Sequence, residues 1–130
     1  MKGSTRTAAA LALATAAVFP AFAENNALDG RSFEGVFIQR GKTSGDADTL
    51  VFANGRFRSM ACDRYGYSDA AYRTAAAGDT TRFEAETQSA KYGKLLWSGV
   101  VRNGKLDATA TMVRDGKPDI ENWVVAADKN

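Results

Sequence analysis

One cysteine sits in the run Ser59-Met60-Ala61-Cys62-Asp63-Arg64-Tyr65-Gly66-Tyr67. A thiol beside a guanidinium such as that of Arg64 loses its proton more readily, and a thiolate serves as nucleophile, metal ligand or redox partner. The alternative is an inert thiol packed beneath a loop. By strand parity Cys62 follows Arg56 and Arg58 and faces outward, unless a turn after Ala61 reverses it. Tyr65, Tyr67 and Tyr72 accompany it, with Arg64 and Arg73. Each such side chain has an apolar body and a polar tip, which suits a binding rim or a loop folded over a barrel end. Cys62, Arg64, Tyr65, Tyr67 and Tyr72 are therefore the candidates for a rim or interaction site.

Other residue types exclude more than they suggest. The chain of 130 residues has no histidine. Ser-His-Asp and Cys-His nucleophile systems and imidazole metal sites are thereby ruled out. Asp46 and Asp48 could hold calcium only weakly, since the later ligands of a calcium loop are absent. Gly41-Lys42-Thr43 looks like the end of a phosphate-binding loop, but the upstream glycine that loop needs would fall at Val36. Glu84 and Glu86 share a strand face with Arg82, as on a solvated sheet surface. The expectation is a non-enzymatic protein with no catalytic residues, no cofactor and no metal.

Residues 1–23 read as a cleavable secretory signal peptide. Lys2 and Arg6 form a positive start, Ala8 to Phe19 is apolar apart from Thr15, and Pro20 precedes Ala21-Phe22-Ala23. The apolar run is shorter than the roughly 20 residues that a spanning helix needs. Cleavage after Ala23 leaves 107 of the 130 residues, read as a single β-barrel domain over 24–130. No later segment is long or apolar enough to span a membrane, so a periplasmic or secreted location is expected. Removing Lys2 and Arg6 from the 17 basic residues leaves 15, equal to the 15 acidic ones. A nucleic-acid partner, which calls for a basic surplus on one face, is not expected.

The remaining chain is patterned for strands. Alternation and turn residues recur, and helical spacing does not. Strands are expected at 32–39, 49–53, 56–61, 70–76, 80–87, 94–101, 105–114 and 120–126, with a loop over 41–48. Asn54-Gly55 and Asn103-Gly104 are strong hairpin turns, because both residue types tolerate positive φ. About eight short antiparallel strands joined by short connections indicate an up-and-down barrel rather than an open sandwich. Closure also pairs the last strand, with Trp123, Val124 and Val125, against Phe33–Ile38 and removes an adhesive edge.

Parity then selects the interior. Phe83 and Ala85 alternate with Arg82, Glu84 and Glu86, and Leu106, Ala108, Ala110 and Met112 alternate with Asp107, Thr109 and Thr111. Phe57, Phe83, Trp97, Ala108, Ala110 and Met112 are the expected lining of the lumen. Small residues beside bulky ones leave two possibilities, a dry packed core or space for one small apolar molecule.

The segments Asp48-Thr49-Leu50-Val51-Phe52, Asn54 to Ser59, Cys62-Asp63-Arg64-Tyr65-Gly66-Tyr67 and Trp97-Ser98-Gly99 resemble small exported bacterial lipocalin-like, or calycin-like, barrel proteins of uncharacterised function. The resemblance covers roughly Asp48 to Val125, although the first strand carries Phe33-Glu34-Gly35 where true lipocalins have Gly-x-Trp. It implies a barrel and an exported location, and no reaction or ligand. The leading expectation is lumenal binding of a small hydrophobic molecule. The alternatives are an interaction module for an envelope protein, such as a hydrolase inhibitor or envelope-stress partner, and a redox or metal role at Cys62. Oligomeric state is left open.

Overall fold

A computed structural model describes residues 21–24 and 26–129. The proposed signal peptide lies almost wholly outside the described residues. Its expected cleavage point falls between the two residues of a short strand, β1 (Ala23–Glu24). Eight longer elements follow: β2 (Arg31–Gln39), β3 (Asp46–Ala53), β4 (Arg56–Ser59), β5 (Ala70–Ala77), β6 (Thr80–Ser89), β7 (Gly93–Arg102), β8 (Lys105–Val113) and β9 (Ile120–Asp128). They form a closed, antiparallel, eight-stranded barrel. Neighbours follow chain order, β9 returns to β2, and β5 pairs with both β4 and β6. The single helical element among the described residues is a 3₁₀ helix, Met60–Tyr65.

The hairpin turns form for the reason the residues suggest. Asn54 and Gly55 have φ of 53° and 75°, and Asn103 and Gly104 have 50° and 75°. Two successive positive φ values twist a two-residue turn in the sense of its strands. Closure through β9 also follows the expected strand pairing, with Phe37 opposite Val124 and Val36 opposite Val125. The strand β4 is short, and β1 continues its lane against β5 through Ala23–Thr74 and Glu24–Arg73 pairs.

Most expected strand ends move by a residue or two, and two of the shifts bear on the site. The loop over 41–48 ends early, because Asp46, Ala47 and Asp48 already pair with Phe37, Val36 and Gly35. The third expected strand stops at Ser59 instead of Ala61. Asp48 points inward and is buried, accepting hydrogen bonds from the Ser59 hydroxyl (2.6 Å) and the Ala61 amide (2.9 Å). Those bonds pull the chain out of the ladder and into the 3₁₀ helix.

The two barrel ends differ. The Asn54-Gly55, Gly78-Asp79 and Asn103-Gly104 turns lie at one end, and residues 26–30 cover it. Leu28 is fully buried there, and its amide donates to the Tyr72 hydroxyl (3.0 Å). That hydroxyl donates to Asp29 (2.8 Å), whose carboxylate also accepts the Gly55 amide. This network ties the covering segment to the barrel wall. The opposite end carries the longer connections, 40–45, 60–69, 90–92 and 114–119.

Between the ends the lumen is filled by aromatic rings. Phe52 contacts Phe33, Phe57, Tyr72 and Phe83 with ring centroids 5.0–6.0 Å apart. Phe57 also meets Phe83 at 5.6 Å and Trp97 at 4.8 Å. Small residues face these rings. A Cβ added at Gly99 would lie 2.6 Å from the Phe83 ring and 2.7 Å from the Ala108 methyl. Large and small side chains thus interlock across neighbouring strands, as a narrow barrel requires.

Candidate functional site

Above the aromatic layer, the end with the longer connections holds a cavity of about 450 Å³. Inward-facing positions near the ends of four strands supply much of its apolar wall: Phe37 of β2, Leu95 of β7, Met112 of β8 and Ile120 of β9. The floor follows from ring stacking, because Phe37 meets Trp97 edge-on at 6.0 Å. Trp97 is itself pinned by its indole N–H, which donates to the Thr87 hydroxyl (3.1 Å). Asn122 also lines the cavity, with its side-chain amide donating to the Ala110 carbonyl (3.0 Å).

The other wall comes from the 3₁₀ helix and the residues after it. Gly66 adopts φ 82°, which terminates the helix, and its amide donates to the Asp63 carbonyl (2.9 Å). A left-handed residue at this point costs glycine little, and it redirects the chain so that Tyr67 turns inward. The Ser89 hydroxyl fixes the helix end by donating to the Tyr65 carbonyl (2.7 Å). Ala61, Cys62, Tyr65 and Tyr67 line this side, and Tyr92 stands opposite Tyr65 at 5.7 Å between ring centroids.

The expected lining residues divide. All six take the inward parity. Met112 lines the cavity, whereas Phe57, Phe83, Trp97, Ala108 and Ala110 lie buried in the filled part of the lumen. Phe37, Leu95, Tyr92, Ile120 and Asn122 were not singled out from the sequence. Nothing local in the sequence shows where ring packing ends and open space begins.

The expected rim divides too. Cys62, Tyr65 and Tyr67 meet at the cavity. Tyr72 does not join them, because its hydroxyl reaches the Leu28–Asp29 network at the covered end. Arg64 is exposed, lies over the Tyr65 ring at 5.1 Å and faces Asp46 at 3.6 Å. Glu84 and Glu86 sit outside the barrel near Arg73 and Lys94, as a solvated face predicts. Among the described residues no cluster of acidic or cysteine side chains is arranged to hold a metal.

Cys62 turns inward rather than outward, because the 3₁₀ helix breaks strand parity after Ser59. Burial pushes its thiol up from 9.0 to about 11, the nearby Ser59 hydroxyl opposes that shift, and Asp48 and Asp63 add to it. Reactive cysteines are shifted the other way. Burial likewise raises Tyr72 from 10.0 to about 12, with its bond to Asp29 adding to the effect. Both groups are held neutral by folding, so their contribution to stability is complete below about pH 9. It falls as pH rises through 9 to 11 for Cys62 and 10 to 12 for Tyr72. The urea midpoint should therefore decline above about pH 9, and Cys62→Ala should remove the earlier part of the decline. In the native protein, a thiol reagent near pH 8 should label Cys62 far more slowly than in urea.

These features define a barrel covered at one end and hollow at the other, with an apolar pocket and a tyrosine-rich rim. Comparison with protein-family models, with curated proteins and with solved structures finds no match to this chain.

Proposed function

We propose that this chain is an exported, non-enzymatic lipocalin-like barrel that holds a small, largely apolar molecule in the mouth cavity. The observation that carries this reading is a cavity of about 450 Å³ walled by Phe37, Leu95, Met112 and Ile120. Ligand sites are commonly concave, mostly apolar hollows of roughly this size with a few polar groups. Apolar surface left open at the end of an otherwise filled lumen gains free energy when a ligand displaces water from it. The raised thiol of Cys62 favours a packing role within this wall over redox or metal chemistry.

The test is displacement of the fluorescent probe N-phenyl-naphthylamine by a panel of apolar molecules. Met112→Trp fills the cavity and should weaken probe binding at least about tenfold, a loss of roughly 1.4 kcal/mol, while leaving the circular-dichroism spectrum unchanged. A wild-type protein that takes up no probe, or a folded variant that binds as well as wild type, would contradict the reading.

A second reading, contact with another protein, is favoured by the outer wall. Val36 and Val125 are paired across β2 and β9, Trp123 is 44 % exposed and Val125 is 56 % exposed. Apolar residues grouped on an outer face can mark a contact surface. Association that Val125→Lys abolishes without altering probe uptake would support this reading.

A further inference from the structure

We infer that Asn103 is a site of spontaneous covalent modification, where the side-chain amide is lost through a cyclic imide and replaced by aspartate or isoaspartate. Asn54, in a turn of the same sequence and shape, keeps its amide. The inference is independent of the cavity reading.

Asparagine followed by glycine is open to this reaction, because a glycine carries no Cβ to shield its backbone nitrogen. That nitrogen first gives its proton to a base in solution. It then bonds to the asparagine Cγ, the bond from Cγ to Nδ2 breaks, and the nitrogen leaves as ammonia after taking up a proton. Water opens the imide ring by adding at either carbonyl carbon. Addition at Cγ gives aspartate, and addition at the main-chain carbonyl carbon gives isoaspartate. Nothing is oxidised or reduced, and water is the only co-reactant.

The chain holds two Asn-Gly turns, and each serves as a control for the other. Their φ values nearly coincide, 53° and 75° at Asn54 and Gly55 against 50° and 75° at Asn103 and Gly104, and both asparagines are exposed. Both glycine carbonyls are held, Gly55 by the Tyr72 amide (3.3 Å) and Gly104 by the Asp128 amide (2.7 Å). The glycine amides, which are the reacting groups, differ. The Gly55 amide donates to the Asp29 carboxylate oxygens (2.9 and 3.0 Å). Among the described residues no carboxylate accepts the Gly104 amide. A charge-assisted bond of this kind stabilises the N–H that must be lost before the nitrogen can attack. Asp29 is itself fixed by the Tyr72 hydroxyl (2.8 Å), so Gly55 moves toward the Asn54 side chain only by breaking that network.

The products act on the turn in different ways. Isoaspartate routes the backbone through Cβ and lengthens a two-residue turn whose twist depends on positive φ at both positions. The Arg102–Lys105 pair and the bond from the Asp128 amide flank it, so the β7–β8 hairpin and the end of β9 loosen there. Aspartate leaves the backbone as it was and sets a carboxylate next to Arg102, whose guanidinium faces Asp79 at 3.5 Å.

The experiment ages the purified protein at mildly alkaline pH and follows both turns by mass spectrometry of a glutamate-specific digest, which separates them at Glu84 and Glu86. Folded wild type should gain acid at Asn103 at least about tenfold faster than at Asn54, the scale of one hydrogen bond to a charged group. In urea the two rates should be comparable, because only the fold distinguishes them. Asp29→Ala, with its circular-dichroism spectrum unchanged, should raise the Asn54 rate toward that of Asn103. Equal rates in folded wild type, or a faster Asn54, would overturn the inference whether or not the variant folds. A folded Asp29→Ala whose Asn54 rate is unchanged or lower would overturn the protecting role of the carboxylate, and with it the reason for the difference.

Discussion

Phe52→Ala should cost about 3–5 kcal/mol, a large share of the stability of a domain this size. Phe52 is fully buried and touches four other rings, with Phe33 on one side and Phe57, Tyr72 and Phe83 on the others. Removing its ring forfeits the transfer free energy of the side chain and leaves a cavity that the closed ladder cannot collapse into. The Leu28 segment should loosen as well, because Tyr72, which accepts the Leu28 amide, packs edge-on against Phe52 at 5.0 Å. Urea unfolding should show a much lower midpoint. Phe52→Leu should lose less, since most of the volume is restored.

Gly35→Ala should destabilise by about 3 kcal/mol or more, at or above the upper end of ordinary overpacking. Its backbone needs no unusual φ, so the cost comes from space. A Cβ there would lie 1.9 Å from the Val125 carbonyl oxygen and 2.6 Å from the Ala126 Cα. These are backbone atoms of β9, and they can yield only if the β2–β9 pairing moves. That pairing carries seven residue pairs from Phe33–Asp128 to Gln39–Asn122 and completes the barrel. The measurement is the urea midpoint beside the far-ultraviolet spectrum, with Glu34→Ala as the control on the exposed neighbour.

The architecture was legible where each residue's own neighbours decide its fate. Phe83 and Ala85 on β6, and Leu106 to Met112 on β8, alternate so regularly that their inward parity follows from spacing alone. The Asn54-Gly55 and Asn103-Gly104 turns announce themselves by residue type. The exceptions share a cause, which is capture of a residue by partners distant in sequence. Asp48 reads as loop material, yet it is buried because Ser59 and Ala61 satisfy its carboxylate. Burial still raises that carboxyl above its ordinary value. Leu28 stands among polar residues with no periodic partner, and its place depends on Tyr72 far along the chain.

The site was legible only in part for the same reason. Met112, Tyr65, Tyr67 and Cys62 were candidates and do border the cavity. Which inward residues fill the lumen and which leave it open is decided by rings meeting across strands. Phe57 contacts Trp97, and Trp97 contacts Phe37, so the filled layer ends at a level no single strand encodes. Tyr72 belongs to the opposite end because its hydroxyl reaches Asp29.

The most direct measurement is a backbone-amide NMR titration of the purified protein with N-phenyl-naphthylamine. Saturable shifts grouped at Phe37, Tyr67, Leu95, Met112 and Asn122, with Leu28 and Gly55 unmoved, are the expected result. Shifts grouped on the outer wall around Trp123 and Val125, or no saturable shift at all, would contradict a barrel that binds through its open mouth.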